Sequence, residues 1–212
     1  MATQSDNARK LNIIVNLVGQ ELRPLNYQKS NRLFNRFQPD GIIHVIDFQM
    51  GLNWSILWGK FTVEIGVFLP EVFSALYERK VARFARSLDC IERKRLGALG
   101  KEGKDHWWDL TGDLDQIGND ISKLLVGYGE RYLSQYNSRL EFISKWEQKR
   151  WHSELSQHDV LALAIIYSYL GKIKQANELL TVEFGNQYKT AFLVYARNVV
   201  TPLGLSFPPL KY

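Results

Sequence analysis

The stretch that decides the fold is residues 32–70, RLFNRFQPDGIIHVIDFQMGLNWSILWGKFTVEIGVFLP. It holds three runs in which apolar and polar residues alternate, at residues 32–37, 42–50 and 60–69. Alternation with a period of two is the pattern of a β-strand, whose successive side chains point to opposite faces. The connections are too short for a parallel crossover, so the sequence predicts an antiparallel meander.

The third run has the most regular alternation. Its apolar members are Phe61, Val63, Ile65, Val67 and Leu69. We therefore expect one face of this strand to be buried and the other to face solvent.

Helical patterns flank these strands. Residues 8–22 carry apolar side chains at helical spacing, and the spacing is helical again from Asp113 onwards. Alternating runs at residues 90–96 and 105–110 predict one or two further strands. The predicted fold is α+β, with an antiparallel sheet of four or five strands over about residues 32–110. An N-terminal helix packs on this sheet, and the C-terminal half is all helical.

Composition and charge favour an ordinary globular protein. The chain has 212 residues, a formal net charge of +5 and a pI near 9.2. The excess charge is concentrated between Glu78 and Lys104, which holds nine basic and four acidic residues. The single cysteine, Cys90, cannot form an intramolecular disulfide, which fits a reducing compartment. No secretory signal pattern is seen, and the most apolar run, Val160–Leu170, is too short to cross a bilayer. We expect a cytoplasmic protein without a membrane partner.

The order of several short motifs resembles a family of small bacterial domains of unknown function. In this sequence the motifs are Phe34 with Arg36, Phe48-Gln49, the Phe-Thr-Val-x-x-Gly-Val-Phe run at 61–68, Cys90 with Arg93 and Arg95, and Trp107-Trp108-Asp109. The resemblance covers about residues 8–150. It implies an α+β fold, and it brings no established activity or catalytic residue with it.

The C-terminal part has a different pattern. It resembles one tetratricopeptide-type helical hairpin through Leu163, Ala164, Tyr167, Leu170-Gly171-Lys172, Ala176 and Leu179-Leu180. Such repeats need neighbours to bury their faces, so a single copy is expected to cap the preceding helices. We therefore predict an α+β domain at residues 8–150 and a helical extension at 152–200 packed on it as one continuous unit.

Motifs for catalysis or cofactor binding are missing from the sequence. It has no Walker-type phosphate loop, no GxSxG elbow, no HExxH and no paired CxxC. His152 and His158 are not spaced to share one helix face as two metal ligands. His44 lies between apolar neighbours and is expected to be a buried, hydrogen-bonded side chain. We predict no catalytic residue, no metal site and no cofactor.

A polar sheet face is the first candidate for binding. Its members are Arg36, Asp47, Gln49 and Glu64, with Arg93 and Arg95 from the fourth strand. Carboxylates beside guanidinium groups bind polar ligands or transfer protons. The same residues also form cross-strand ion pairs without further function, each worth about 0.2–1 kcal/mol. The residue types alone leave both interpretations open.

Two tryptophan pairs are the second candidate. Trp54 with Trp58 lies in an apolar hairpin loop, and Trp107 with Trp108 follows the basic segment 79–104. Exposed tryptophans anchor protein interfaces and also stack on nucleic-acid bases. Large aromatic side chains otherwise fold over the edge of a core.

Three classes of function follow from these patterns. The first is a non-catalytic protein-interaction module, of partner-binding or immunity type, whose partner is another protein. The second is nucleic-acid binding through the segment 79–104 and exposed tryptophans. The third is an enzyme that uses the carboxylates of the sheet face. We favour the first, and the sequence leaves the oligomeric state open.

Overall fold

The structure is a computed structural model that describes residues 4–52, 56–152, 154–185, 187 and 190–210. The chain divides into two compact units, Met1–Phe68 with Ala82–Asn137 and Leu69–Val81 with Ser138–Tyr212. The first unit holds a helix-covered antiparallel sheet, and the second is helical. The α+β class predicted from the sequence is confirmed.

The sheet of the first unit is antiparallel throughout. Its strands are β1 (Gln28–Ser30), β2 (Leu33–Phe37), β3 (Ile43–Met50), β4 (Lys60–Phe68), β5 (Glu92–Arg95) and β6 (Trp108–Asp109). They are hydrogen-bonded in the order β1-β2-β3-β4-β5, and β6 pairs with the start of β4. The three strands of the meander are confirmed, whereas β1 was not predicted.

The helices of the first unit are α1 (Gln4–Leu22), α3 (Leu96–Leu99), α4 (Leu114–Leu124) and α5 (Glu130–Leu133). Asp113 caps α4 by accepting hydrogen bonds from the backbone N–H groups of Asp115 and Gln116. A π-helical turn, Leu125–Gly129, joins α4 to α5. The helical spacing predicted from Asp113 onwards is therefore interrupted by a wider turn at Leu125–Gly129.

One face of the sheet packs against α1. A Cβ at Gly19 of α1 would lie 3.3 Å from the ring of Phe34, so glycine lets the helix approach the strand closely. Along this face, Phe34, Phe48, Phe61 and Trp108 form a row of rings with centroids 5.7 to 6.3 Å apart. This aromatic row forms part of the core of the first unit.

The opposite face of the sheet is covered as well. All residues from Phe61 to Phe68 are buried, so the expectation that one face of β4 meets solvent was wrong. The segment 82–91 crosses this face, where the amide of Asn35 donates to the carbonyl of Ala85 and accepts from its N–H. On the same face, the hydroxyl of Thr62 donates a hydrogen bond to the carbonyl oxygen of His106. Alternation identified the strand, but the cover comes from irregular segments that have no period of their own.

The second unit contains five α-helices among the described residues. They are α2 (Pro70–Tyr77), α6 (Arg139–Trp151), α7 (Gln157–Tyr169), α8 (Ile173–Phe184) and α9 (Ala191–Val200). Ser138 and Ser156 begin α6 and α7 with capping boxes. Helices α7 and α8 pack on each other, and α2 packs against α7. Arg139 joins α6 to α2 through two hydrogen bonds of 2.8 Å to the carboxylate of Glu71.

Within the part of the chain that the structure describes, no helix combines the length and the apolar character needed to cross a bilayer. The cytoplasmic location stays a prediction.

Gly66→Ala is expected to destabilise the protein. Its Cβ would lie 2.8 Å from the Cβ and Sγ atoms of Cys90 and 3.0 Å from the carbonyl oxygen of Glu92. Overpacking of this kind costs about 1–3 kcal/mol. A urea titration measures the free energy of unfolding. Gly127→Ala is the matched control, because a Cβ there meets nothing within 4 Å; equal stability of the two variants would contradict this packing.

Candidate functional site

Five of the predicted site residues come together on the second face of the sheet, which we call the charged sheet face. They are Asp47, Gln49, Glu64, Arg93 and Arg95. The strand register places Asp47 beside Glu64 and Glu64 beside Arg95, so these three form one row across β3, β4 and β5. Two carboxylates and a guanidinium group are adjacent because residues paired in register share a face.

The inner part of the charged sheet face is a hydrogen-bond network. Oδ2 of Asp47 accepts from the hydroxyl of Ser87 at 2.8 Å and from its backbone N–H at 3.3 Å. Nε2 of Gln49 donates to Ser87 Oγ at 2.6 Å and to Glu64 Oε2 at 3.1 Å. Ser87 is fully buried, so Asp47 holds the covering segment 82–91 onto the sheet.

The outer part of the charged sheet face is cationic. Nη1 of Arg93 lies 3.8 Å from Glu64 Oε2, and Nε of Arg95 lies 3.7 Å from Glu64 Oε1. The side chain of Glu64 is only 11% exposed, whereas those of Arg93 and Arg95 are 47% and 39% exposed. A buried carboxylate therefore lies beneath two guanidinium groups that face solvent.

Trp107 extends this cationic surface. The guanidinium of Arg95 lies 5.2 Å from the centre of the Trp107 ring, which is a cation–π contact, and the indole is half-buried. Trp108, the next residue, points to the opposite face, where it is buried and stacks on Phe61. Adjacent residues of a strand point in opposite directions, so the pair divides between surface and core.

The predicted Trp54/Trp58 loop contributes less to the site. Trp54 lies outside the described residues, and Trp58 is half-buried. In the same loop Leu52 and Ile56 are exposed, and Ile56 is 95% exposed. This loop therefore presents apolar surface to solvent.

A cleft of about 540 Å³ adjoins the charged sheet face. Asp105 connects the two, because it pairs with Arg95 and also lines the cleft. Lys101, Lys104 and His106 lie around the cleft as exposed side chains. Trp108, Leu124 and Tyr128 line its more apolar part, and Tyr128 belongs to the π-helical turn.

The predicted grouping is wrong for Arg36, which lies on the other face of the sheet. Arg36 is paired in register with His44, so it shares the aromatic face and not that of Asp47. It forms a 2.7 Å ion pair with Glu130, and its Nη2 lies 3.0 Å from Nδ1 of His44. Nε2 of the fully buried His44 lies 3.0 Å from the carbonyl oxygen of Tyr136. The hydroxyl of Tyr27 donates a hydrogen bond to the carboxylate of Glu130. Burial and the neighbouring Glu130 raise the pKa of Tyr27. These contacts join the sheet to α5 and to the turn that follows it.

Sequence reasoning missed Ser87 and Asn35, the residues that attach the covering segment to the sheet. Ser87 completes the network of Asp47 but belongs to no periodic pattern or known motif, and Asn35 of β2 anchors Ala85. Asn35 had a weak signal, since a polar amide within an apolar strand has to find a partner if it is buried. Among the described residues, no group of three or more His, Cys, Asp and Glu side chains is placed to hold a metal ion.

Comparison with known proteins gives one match. A family model described as a domain of unknown function, DUF4304, matches residues 18–135, which is more than half of the chain. The matched region contains every motif from Phe34 to Asp109 that carried the resemblance, so the prediction of a domain-of-unknown-function family is confirmed. No curated protein and no solved structure matches the chain.

Removing either partner of the Asp47–Ser87 contact is expected to loosen the covering segment. Asp47→Ala leaves the buried hydroxyl and N–H of Ser87 without their acceptor, at a cost of about 1–3 kcal/mol. The double variant Asp47→Ala/Ser87→Ala should cost less than the two single changes added together, because the pair interacts directly. Urea unfolding of the four proteins measures the coupling, and strictly additive costs would contradict the contact.

Cys90 is expected to be a poorly reactive thiol. Burial raises the pKa of Cys90 well above its ordinary value, and the nearby carboxylates Asp89 and Asp47 raise it further. Because only the thiolate attacks disulfide reagents, reaction with Ellman's reagent at pH 8 should be slower than that of free cysteine. The rate should rise with pH beyond the range of a free thiol and become fast in urea. Rapid native labelling at pH 7 would contradict this environment.

Proposed function

This chain belongs to the DUF4304 family of domains of unknown function, and we propose that it is a non-catalytic protein-interaction module. Its binding surface is the charged sheet face together with Trp107, Lys101 and Lys104. Its partner is a protein that presents an acidic segment.

The single observation that carries this proposal is that the carboxylate of the sheet face is buried while the neighbouring guanidinium groups are exposed. Glu64 is buried beneath Arg93 and Arg95, so the outermost charge of the sheet face is positive. Arginine and tryptophan are the residue types that contribute most to protein interfaces. The contact between Arg95 and Trp107 places both types side by side.

The arginines retain donors for a partner. A guanidinium group carries five N–H donors, and the distances from Arg93 and Arg95 to Glu64 exceed hydrogen-bond length. Glu64 therefore orients the two cations by electrostatic attraction without using their donors. Carboxylates of a partner can accept these N–H groups in paired, charge-assisted hydrogen bonds.

The mixture of charges favours an acidic protein over a nucleic acid. Glu102 and Asp105 alternate with Lys101 and Lys104 along the cleft, and Asp105 pairs with Nη1 of Arg95. Nucleic-acid affinity depends on several cations that neutralise successive phosphates, and interspersed carboxylates oppose this. A protein partner tolerates them, because interface charges are matched one by one.

A structural role for the carboxylates supports the non-catalytic part of the proposal. Oxygens of Asp47 and Glu64 accept hydrogen bonds from Ser87 and Gln49, and Glu64 also lies beside the arginines. A general base instead needs an oxygen within reach of a substrate proton.

The test is binding of a fluorescent peptide of alternating Asp and Glu residues, followed by fluorescence anisotropy. Arg93→Ala/Arg95→Ala and Trp107→Ala are each expected to weaken binding about 10-fold or more, the effect of losing one interface anchor. Raising the salt concentration should weaken binding by the wild type more than by the arginine variant.

The matched control removes the same charge elsewhere. Lys123→Ala/Arg131→Ala deletes two exposed cations of α4 and α5 and should change the affinity less than about 2-fold. An equal loss in both double variants would show a general charge effect and contradict the proposed surface. Tighter binding of single-stranded DNA with the same number of charges would favour nucleic-acid binding instead.

A further inference from the structure

A second cleft lies between α1 and the turn that joins β1 to β2. It has a volume of about 570 Å³, and its polar lining consists of Asn12, Asn16, Lys29, Asn31 and Arg32. The cleft belongs wholly to the first unit and shares no residue with the charged sheet face. We propose that this cleft binds a small oxyanion, either inorganic phosphate or the phosphate group of a small phosphomonoester.

The charge of the cleft is positive and uncompensated. Two cations and three side-chain amides line it, and among the residues that the structure describes no carboxylate does. Within the described ranges, neither Lys29 nor Arg32 has an ion-pair partner. A bound dianion would supply the missing negative charge.

Arg32 differs in this respect from three other half-buried or buried arginines of the protein. Arg36 pairs with Glu130, Arg139 with Glu71 and Arg150 with Glu183. Arg32 is also half-buried, but neutral oxygens alone hold it. Burial lowers the pKa of Arg32, and no acidic neighbour opposes that effect. An anion bound beside a half-buried cation that has no counter-ion would form a charge-assisted hydrogen bond with it.

Arg32 and Lys29 keep N–H donors that their existing hydrogen bonds do not use. Nε of Arg32 donates to Asn12 Oδ1 at 3.0 Å, and Nη2 donates to the carbonyl of Ala8 at 3.2 Å. These two bonds fix the guanidinium plane against α1 and leave other N–H donors of the fork unused. Lys29 likewise donates to Asn16 Oδ1 and keeps further ammonium protons.

The asparagines add neutral donors to the same cleft. Asn12 and Asn16 each accept with Oδ1, so their Nδ2 groups stay available to donate. Arginine, lysine and amide N–H groups together are the donor set that binds phosphate oxygens in proteins. The volume lies within the range of small-ligand sites and exceeds the size of phosphate, which leaves room for a small organic group.

The test measures binding of inorganic phosphate and of glycerol 3-phosphate to the full chain. Isothermal titration at constant ionic strength, with sodium chloride as the reference, gives the affinities. Lys29→Gln and Arg32→Gln are each expected to lower them about 10-fold or more, because each removes a charge-assisted contact. Phosphate bound as tightly as the ester indicates the free anion, and a clear preference for the ester indicates a phosphomonoester.

The controls separate this site from general charge effects. Arg9→Gln removes an exposed cation of α1 outside the cleft and should leave both affinities within about 2-fold. Lys29 is exposed, so its variant tests the site even if Arg32→Gln loosens α1. No binding by the wild type, or binding that Lys29→Gln leaves unchanged, would overturn the proposal.

Discussion

The burial of β4 on both faces is the constraint on which the first unit depends. A strand covered on both sides cannot leave its polar side chains to water, so each has to find a partner inside the protein. Thr62 donates to the carbonyl of His106, and Glu64 accepts from Gln49 while the two arginines lie beside it. The Thr62 contact also fixes one of the irregular segments that cover the strand, because His106 lies in that segment.

The two faces of the sheet are covered in different ways. One face is closed by α1 and by a row of aromatic rings. Two of its polar residues make contacts beyond the sheet: Arg36 pairs with Glu130 of α5, and His44 contacts the carbonyl of Tyr136 in the turn after α5. The other face is closed by a thin cover in which Ser87 bonds to Asp47. Because this cover ends before Arg93 and Arg95, their cations reach solvent above a buried carboxylate. The proposed binding surface is thus a consequence of how the sheet is covered.

Sequence patterns predicted the parts of the fold that follow a regular period. The alternation in residues 32–70 predicted β2, β3 and β4, and apolar spacing predicted α1. The grouping of Asp47, Gln49 and Glu64 also followed, since it needs only the hairpin register. Arg36 was placed on the wrong face, because the register between β2 and β3 depends on a turn whose geometry the residue types leave open. The segment 82–91 has no period, so the burial of β4 on both faces was beyond sequence reasoning.

The measurement that tests the proposed interaction surface most directly is site-specific photocrosslinking in living cells of the source organism. A benzoylphenylalanine replaces Trp107 in one protein and the exposed Lys123 in a second, and the crosslinked products are sequenced by mass spectrometry. We predict that position 107 captures one protein through a segment rich in Asp and Glu. The additional change Arg93→Ala/Arg95→Ala should abolish this crosslinked product. The same product from position 123, or capture of nucleic acid at position 107, would contradict this prediction.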